Sequence, residues 1–208
     1  TLWGGVIGDD GLEGIKIGED GSIGESFKEF QTELKRLRDS GILLSISSKN
    51  EIENAHLGLS HPEGILKKED FASIKANWEP KDTNIHKMGD EINLGLDSFV
   101  FLDDNPAERA LVAGSLPTVS VPDIGNDPNN YFKYIDGNGY FERVNLGKED
   151  TDRSKYYKEN KKRDDAKTKF QSQDAFLKSL KMHGKVRLFD DVYIERVTQL
   201  INKTNQFN

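Results

Sequence analysis

The chain has 208 residues, with 29 Lys+Arg against 36 Asp+Glu and a net charge of −7. That balance argues against a general binder of nucleic acid or of an anionic membrane surface, because both need a basic face. The absence of Cys removes disulfides, thiolate zinc sites and a catalytic thiol.

A mean hydropathy of −0.69 is low, yet 11 Phe, 6 Tyr and 2 Trp can anchor a core. The expectation is one moderate globular domain with a polar extension. No apolar run approaches the ~20 residues of a membrane span, and no basic-then-apolar leader opens the chain. The composition is compatible with a reducing compartment, and a cytoplasmic location is expected. Without an initiator Met, the sequence reads as a fragment or a processed segment.

Residues 1 to about 23 hold short β-branched pieces separated by Gly and Asp, which predicts a small hairpin with its tip at Asp9, Asp10 and Gly11. From Ser26 the spacing of Phe27, Phe30, Leu34 and Leu37 predicts one helix face, ended by Gly41. Ile42 to Ser47 reads as a strand covered on both faces. Asn50 and Glu53 then have the spacing of a capping box for a helix carrying Ile52 and Leu57. Downstream, Ile74 to Ala76 is a short strand candidate, and Ile85, Met88 and Ile92 share a helix face after Pro80. Leu96 to Leu102 is a further strand. Asn105, Pro106 and Glu108 form the next helix start, and Leu116 to Val121 offers one more strand. Such alternation predicts an α/β fold with a mostly parallel sheet and helices on both faces.

Lys148 to Lys169 is rich in Lys, Asp and Glu and reads as an exposed helix or linker. A second unit follows, with a helix at Phe176 to Leu180, a strand at Lys185 to Phe189 and a helix at Val192 to Ile201. It ends at Asn208 with too little chain for a core of its own.

In an open parallel sheet, ligands bind beyond the carboxyl ends of the strands. Ser48, Lys49, Asp103 and Asp104 all fall there, with Lys81 just before a helix. Ser48 can hold a phosphate oxygen at a helix N-terminus, or it can be a turn residue bonded to its own backbone. Asp103 and Asp104 repel one another unless a cation intervenes. Mg²⁺ suits them because it takes one or two carboxylates with water and phosphate; the alternative is helix capping, but Asn105 already supplies the cap. Lys49 and Lys81 can neutralise phosphate, or simply be solvated. The four His residues lack metal-ligand spacing, and Gly8 to Gly11 lacks the Glu that would complete a calcium loop.

Four blocks, Thr1–Gly11 (TLWGGVIGDDG), Ser48–Asn50 (SKN), Asn77–Lys81 (NWEPK) and Leu94–Arg109 (LGLDSFVFLDDNPAER), resemble the FkbH-type branch of the haloacid dehalogenase-like (HAD) superfamily. Gln199–Asn208 is similar to the start of that family's second, acetyltransferase-like (GNAT) domain. The resemblance implies a HAD-like domain over 1–145 with its first strand missing, a charged connector over 146–169, and the start of a GNAT-like domain over 170–208. It also implies a Rossmann-like core with a hairpin flap, Mg²⁺, and phosphoryl chemistry through an aspartyl phosphate.

By this resemblance Ser48 is the phosphate-binding residue of the second motif, flanked by Ser47, Lys49 and Asn50. Lys81 is the third-motif Lys, and Asp103 with Asp104 the acidic metal pair of the fourth. Thr1 matches the Thr of the first motif, Asp-x-Asp-x-Thr, so the nucleophilic and acid/base Asp residues would precede Thr1. Trp3, Gly4 and Gly5 are flap-base candidates. The family often has Cys where Ser47 stands, and Ser is a weaker nucleophile for thioester exchange. The implied activity is Mg²⁺-dependent action on a small phosphorylated substrate such as 1,3-bisphosphoglycerate, with glyceryl loaded onto an acyl carrier protein. The alternatives are a plain HAD phosphatase and an inactive phosphate-binding module.

Overall fold

The periodic Phe27, Phe30 and Leu34 stripe forms the longest helix of the computed structural model, which describes residues 1–18, 21–142, 172–188 and 190–202, together with Tyr156 and Glu159. By internal contacts the chain divides into two units, Thr1–Lys162 and Arg163–Asn208. In the first, the elements in order are α1 (Ile7–Gly14), α2 (Ser22–Asp39), β1 (Leu44–Ser48), α3 (Ile52–Leu59), β2 (Phe71–Ala76), α4 (Lys81–Ile92), α5 (Pro106–Ser115) and α6 (Tyr131–Asp136).

β1 and β2 pair in parallel, Ile46 opposite Ile74 and Ser48 opposite Ala76. Leu44, Ile46 and Ile74 pack into a core with Phe27, Phe30 and Leu34 of α2 and Leu59 of α3. Full burial of one such aromatic contributes about 1.5–3 kcal/mol. Tyr131 closes that core edge-on, its ring centroid 5.4 Å from Phe30 and 6.4 Å from Phe27. The other sheet face is polar. Ser73 donates a hydrogen bond to Glu91 of α4 (2.7 Å), and Lys75 forms an ion pair with the same carboxylate (2.8 Å). Helices thus cover both faces of the pair. A second parallel contact joins Val100 to Ser120, over a core of Ile85, Phe101, Val112 and Val119.

Several sequence expectations change in detail. The Gly4–Lys16 antiparallel bridge supplies the base of the expected hairpin, but the tip winds into α1. The Asp10 carboxylate accepts the Val6 N–H (2.7 Å), and two acidic residues in the first turn suit a helix start. Gly11 takes the kink, at φ +69°. β2 begins at Phe71 rather than Ile74, and every β1 residue is half-buried rather than covered on both faces. Residues 96–98 form a 3-10 turn, so the two later strand candidates meet only at the single bridge. The Asn50–Glu53 capping box does not form. Glu51 takes the N-cap position without a side-chain bond to the helix N-terminus, while Asn50 Oδ1 accepts the Glu51 N–H (2.9 Å).

The second unit contains α7 (Gln173–Ser179) and α8 (Ile194–Asn202), the latter preceded by a 3-10 turn at Asp191–Tyr193. The strand expected at 185–189 is not formed over its described residues 185–188, where Val186 and Leu188 are fully exposed. Among the described residues no layer covers them. The charged stretch 146–169 lies outside the described residues except for Tyr156 and Glu159, both helical and exposed. No described helix is long and apolar enough to cross a membrane.

Candidate functional site

The carboxyl end of β1 is tied to the loop after β2 by its own backbone. Ser48 is the last β1 residue, and its carbonyl accepts the Asn77 N–H (3.0 Å). Asn77 and the fully buried Asn84 of α4 exchange side-chain hydrogen bonds of 2.8 and 3.2 Å. This fixes the segment running into Lys81, the first residue of α4. Trp78, in the same loop and 68% exposed, donates its indole N–H to Glu51 (2.7 Å), so the turns after both strands are joined twice.

Lys81 reaches across to the second strand pair and forms an ion pair with Asp103. Both groups are largely withdrawn from water, at 13% and 5% side-chain exposure. Asp103 Oδ1 also accepts the Asn105 N–H (2.9 Å). Its neighbour Asp104 is half-exposed and accepts the Thr1 hydroxyl at 2.6 Å. Burial opposes ionisation of Asp104, and the hydrogen bond from the Thr1 hydroxyl favours it. Tyr131 is pushed up to about 12, first by burial and then by the negative charge of Asp104, Asp127 and Asp103.

Lys49 does not stand free. It pairs with Glu108 of α5 (2.5 Å), a residue 59 positions away. The Asn105 cap and Pro106 start α5 as the sequence predicts, Asn105 Oδ1 accepting the Ala107 N–H (2.9 Å). Glu108, expected to complete the capping box, turns to Lys49 instead, and its Oε2 is buried without a hydrogen-bond partner.

The structure therefore gathers Lys81, Asp103, Asp104 and Thr1 directly, and brings Lys49 to the start of α5. Asn50 bonds to Asn54 (3.1 Å) and lies beside Gly8 of α1, where an added Cβ would sit 3.9 Å from Asn50 Oδ1. The α1 segment thus lies over the start of α3, as a flap would. Trp3 anchors it, its ring so close to Gly58 that a Cβ there would lie 2.5 Å from the indole edge. Ser47 is set apart from Ser48. It pairs in register with Lys75 on the α4 face, and its hydroxyl is buried without a partner. Arg109 is a site residue that the chemistry-based reading missed. It holds the Asp103 and Asp104 carbonyls (2.8 and 3.1 Å), a contact to backbone that leaves no mark in residue type.

Among the described residues no group of three or more His, Asp or Glu side chains encloses a metal position. Two carboxylates suffice for a hard divalent ion when phosphate and water complete its shell. The adjacent Asp103 and Asp104 have the donor chemistry for it.

No family model matches the chain, and no curated protein does. It is similar to a solved structure, the N-terminal part of the protein BF1531 from Bacteroides fragilis, which contains a phosphatase domain and is complexed with Mg. The two share 43% identity at a TM-score of 0.68, over 70% of this chain and 39% of that one. The chain thus spans about two fifths of the length of the solved neighbour. The fold is α/β, Rossmann-like and of the HAD type.

Proposed function

We propose that the chain carries the phosphoryl site of a Mg²⁺-dependent HAD-like phosphatase acting on a small phosphorylated substrate. The observation that carries this reading is the Lys81–Asp103 pair beside Asp104, set at the strand ends opposite Ser48 and Lys49. The Mg-complexed phosphatase domain of the solved neighbour supports it. Asp103 and Asp104 would hold Mg²⁺. When bound, the ion supplies charge stabilisation for phosphate oxygens.

The remaining work falls to side chains. Lys81 neutralises negative charge developing on the transferred phosphoryl group and pairs with the buried Asp103. Ser48 donates its hydroxyl to a phosphate oxygen, and Lys49 can leave Glu108 for a second one. Asn50 orders the turn behind them, and Thr1 orients Asp104. The α1 segment shields the site from bulk water. The nucleophilic carboxylate belongs upstream of Thr1 in this reading.

In the finer form of the proposal, residues 1–145 are the HAD-like domain, 146–169 a connector and 170–208 the opening of a GNAT-like domain. The whole protein would then pass an acyl group such as glyceryl to an acyl carrier protein. The buried Ser47 hydroxyl favours a second reading, a plain phosphatase, because a hydroxyl beneath α4 is badly placed to carry an acyl group. Incubating the full-length protein with acyl phosphate and carrier separates the two. A mass gain on the carrier phosphopantetheine supports transfer, and free phosphate alone supports the phosphatase. Binding of phosphate without turnover points to an inactive module.

A further inference from the structure

We propose that Arg109 is the positioning residue for the acidic pair, fixing the Asp103–Asp104 backbone so that the Asp104 carboxylate is aimed for Mg²⁺. This rests on the Mg²⁺ reading above. The strand carrying the pair has little ladder of its own. Its last backbone bond runs from the Phe101 N–H to the Ser120 carbonyl (2.8 Å), two residues before Asp103. Beyond that point the chain must turn into α5 with two adjacent carboxylates that repel each other.

One Arg109 nitrogen, Nη1, donates to both the Asp103 and Asp104 carbonyls, at 2.8 and 3.1 Å. The other, Nη2, donates to Asp123 (2.5 Å), and that carboxylate oxygen also accepts the Gly125 N–H (3.1 Å). The Arg109 side chain is 13% exposed, and both terminal nitrogens are engaged. Arg109 therefore stitches the acidic loop to the segment after the second strand pair. Its planar fork holds two carbonyls and a carboxylate at fixed angles, which a Lys ammonium cannot reproduce. Asp103 has independent restraints in Lys81 and the Asn105 N–H. The Asp104 carboxylate is held by the Thr1 hydroxyl, so loss of Arg109 falls mainly on Asp104.

The test is calorimetric titration of full-length protein with Mg²⁺ alone, and separately with inorganic phosphate in chelator, alongside a thermal melt. Arg109→Met is expected to weaken Mg²⁺ binding about 10- to 100-fold, as loss of an outer-shell partner does, with phosphate affinity kept. Arg109→Lys is expected to recover only part of the loss. Should Arg109→Met fail to fold, Asp123→Asn is the milder variant, which frees the anchor and is expected to show a smaller loss of the same selectivity. Wild-type Mg²⁺ affinity in Arg109→Met, full recovery in Arg109→Lys, or an equal fall in Mg²⁺ and phosphate binding overturns the proposal. Asp104→Asn serves as the control. If it binds Mg²⁺ as tightly as wild type, the metal reading itself fails, and the positioning role fails with it.

Discussion

Five registered positions join β1 to β2, whereas the other parallel pair meets only at Val100 and Ser120. Ser48 and Lys49 lie at the end of the first pair, and Asp103 and Asp104 follow the bridge of the second. The first pair is set by a backbone ladder with an aromatic core behind it. The second is set by side chains: Asn105 grips the α5 backbone, Arg109 grips two carbonyls, and Lys81 pairs with the Asp103 carboxylate. Where the ladder is short, the site depends on individual polar contacts, and single substitutions there should affect chemistry before they affect folding.

The largest effect is expected from the ladder side. Phe30→Ala removes a ring packed on Tyr131 and should cost about 3–5 kcal/mol in urea unfolding, with residual folded protein still binding Mg²⁺. Next comes Lys81→Met, which leaves the 5% exposed Asp103 carboxylate without its cation. A loss of about 3 kcal/mol is expected, together with loss of phosphate release, and an unchanged turnover number would remove Lys81 from the mechanism. A smaller change follows from Asn105→Ala, which deletes the α5 cap and should cost about 1 kcal/mol. A rise in the Mg²⁺ concentration needed for half-maximal activity should accompany it.

The last prediction is a slope rather than a loss of set size. Burial raises the Asp70 carboxyl, but Lys35, the Lys67 N–H and Arg38 outweigh it, so its folded pKa lies below the ordinary value. Such a group contributes stability above its unfolded pKa near 4, and that stability is lost as pH falls through the lower folded value. Unfolding midpoints measured from pH 6 downward should therefore fall below about pH 4, and Asp70→Asn should flatten the fall. An identical acid slope in the variant would rule Asp70 out as its source.

Much of this was legible in the residues. Ile85, Met88 and Ile92 are all buried along α4 because helical spacing and the core face coincide. Asn105 followed by Pro106 specifies a helix start by local chemistry alone, and the structure agrees. Asp9, Asp10 and Gly11 were ambiguous, since acidic residues and Gly serve a hairpin tip and a kinked helix start equally well. Phe71 was missed as the start of β2 because it follows the charged run Lys67 to Asp70. Ser45 and Ser47 were a readable sign that β1 has a polar face under α4, not an apolar one. The pairing of Lys49 with Glu108 spans 59 positions. Nothing in either residue's local spacing announces it, which is also why Arg109 went unseen.

The central claim is a Mg²⁺-dependent phosphoryl site built on two strand ends. Phosphate release from acetyl phosphate by the full-length protein, with saturating Mg²⁺ and again after chelation, tests it most directly. The account predicts release that requires Mg²⁺ and stops on chelation. Release indifferent to chelation, or none under either condition, would contradict it.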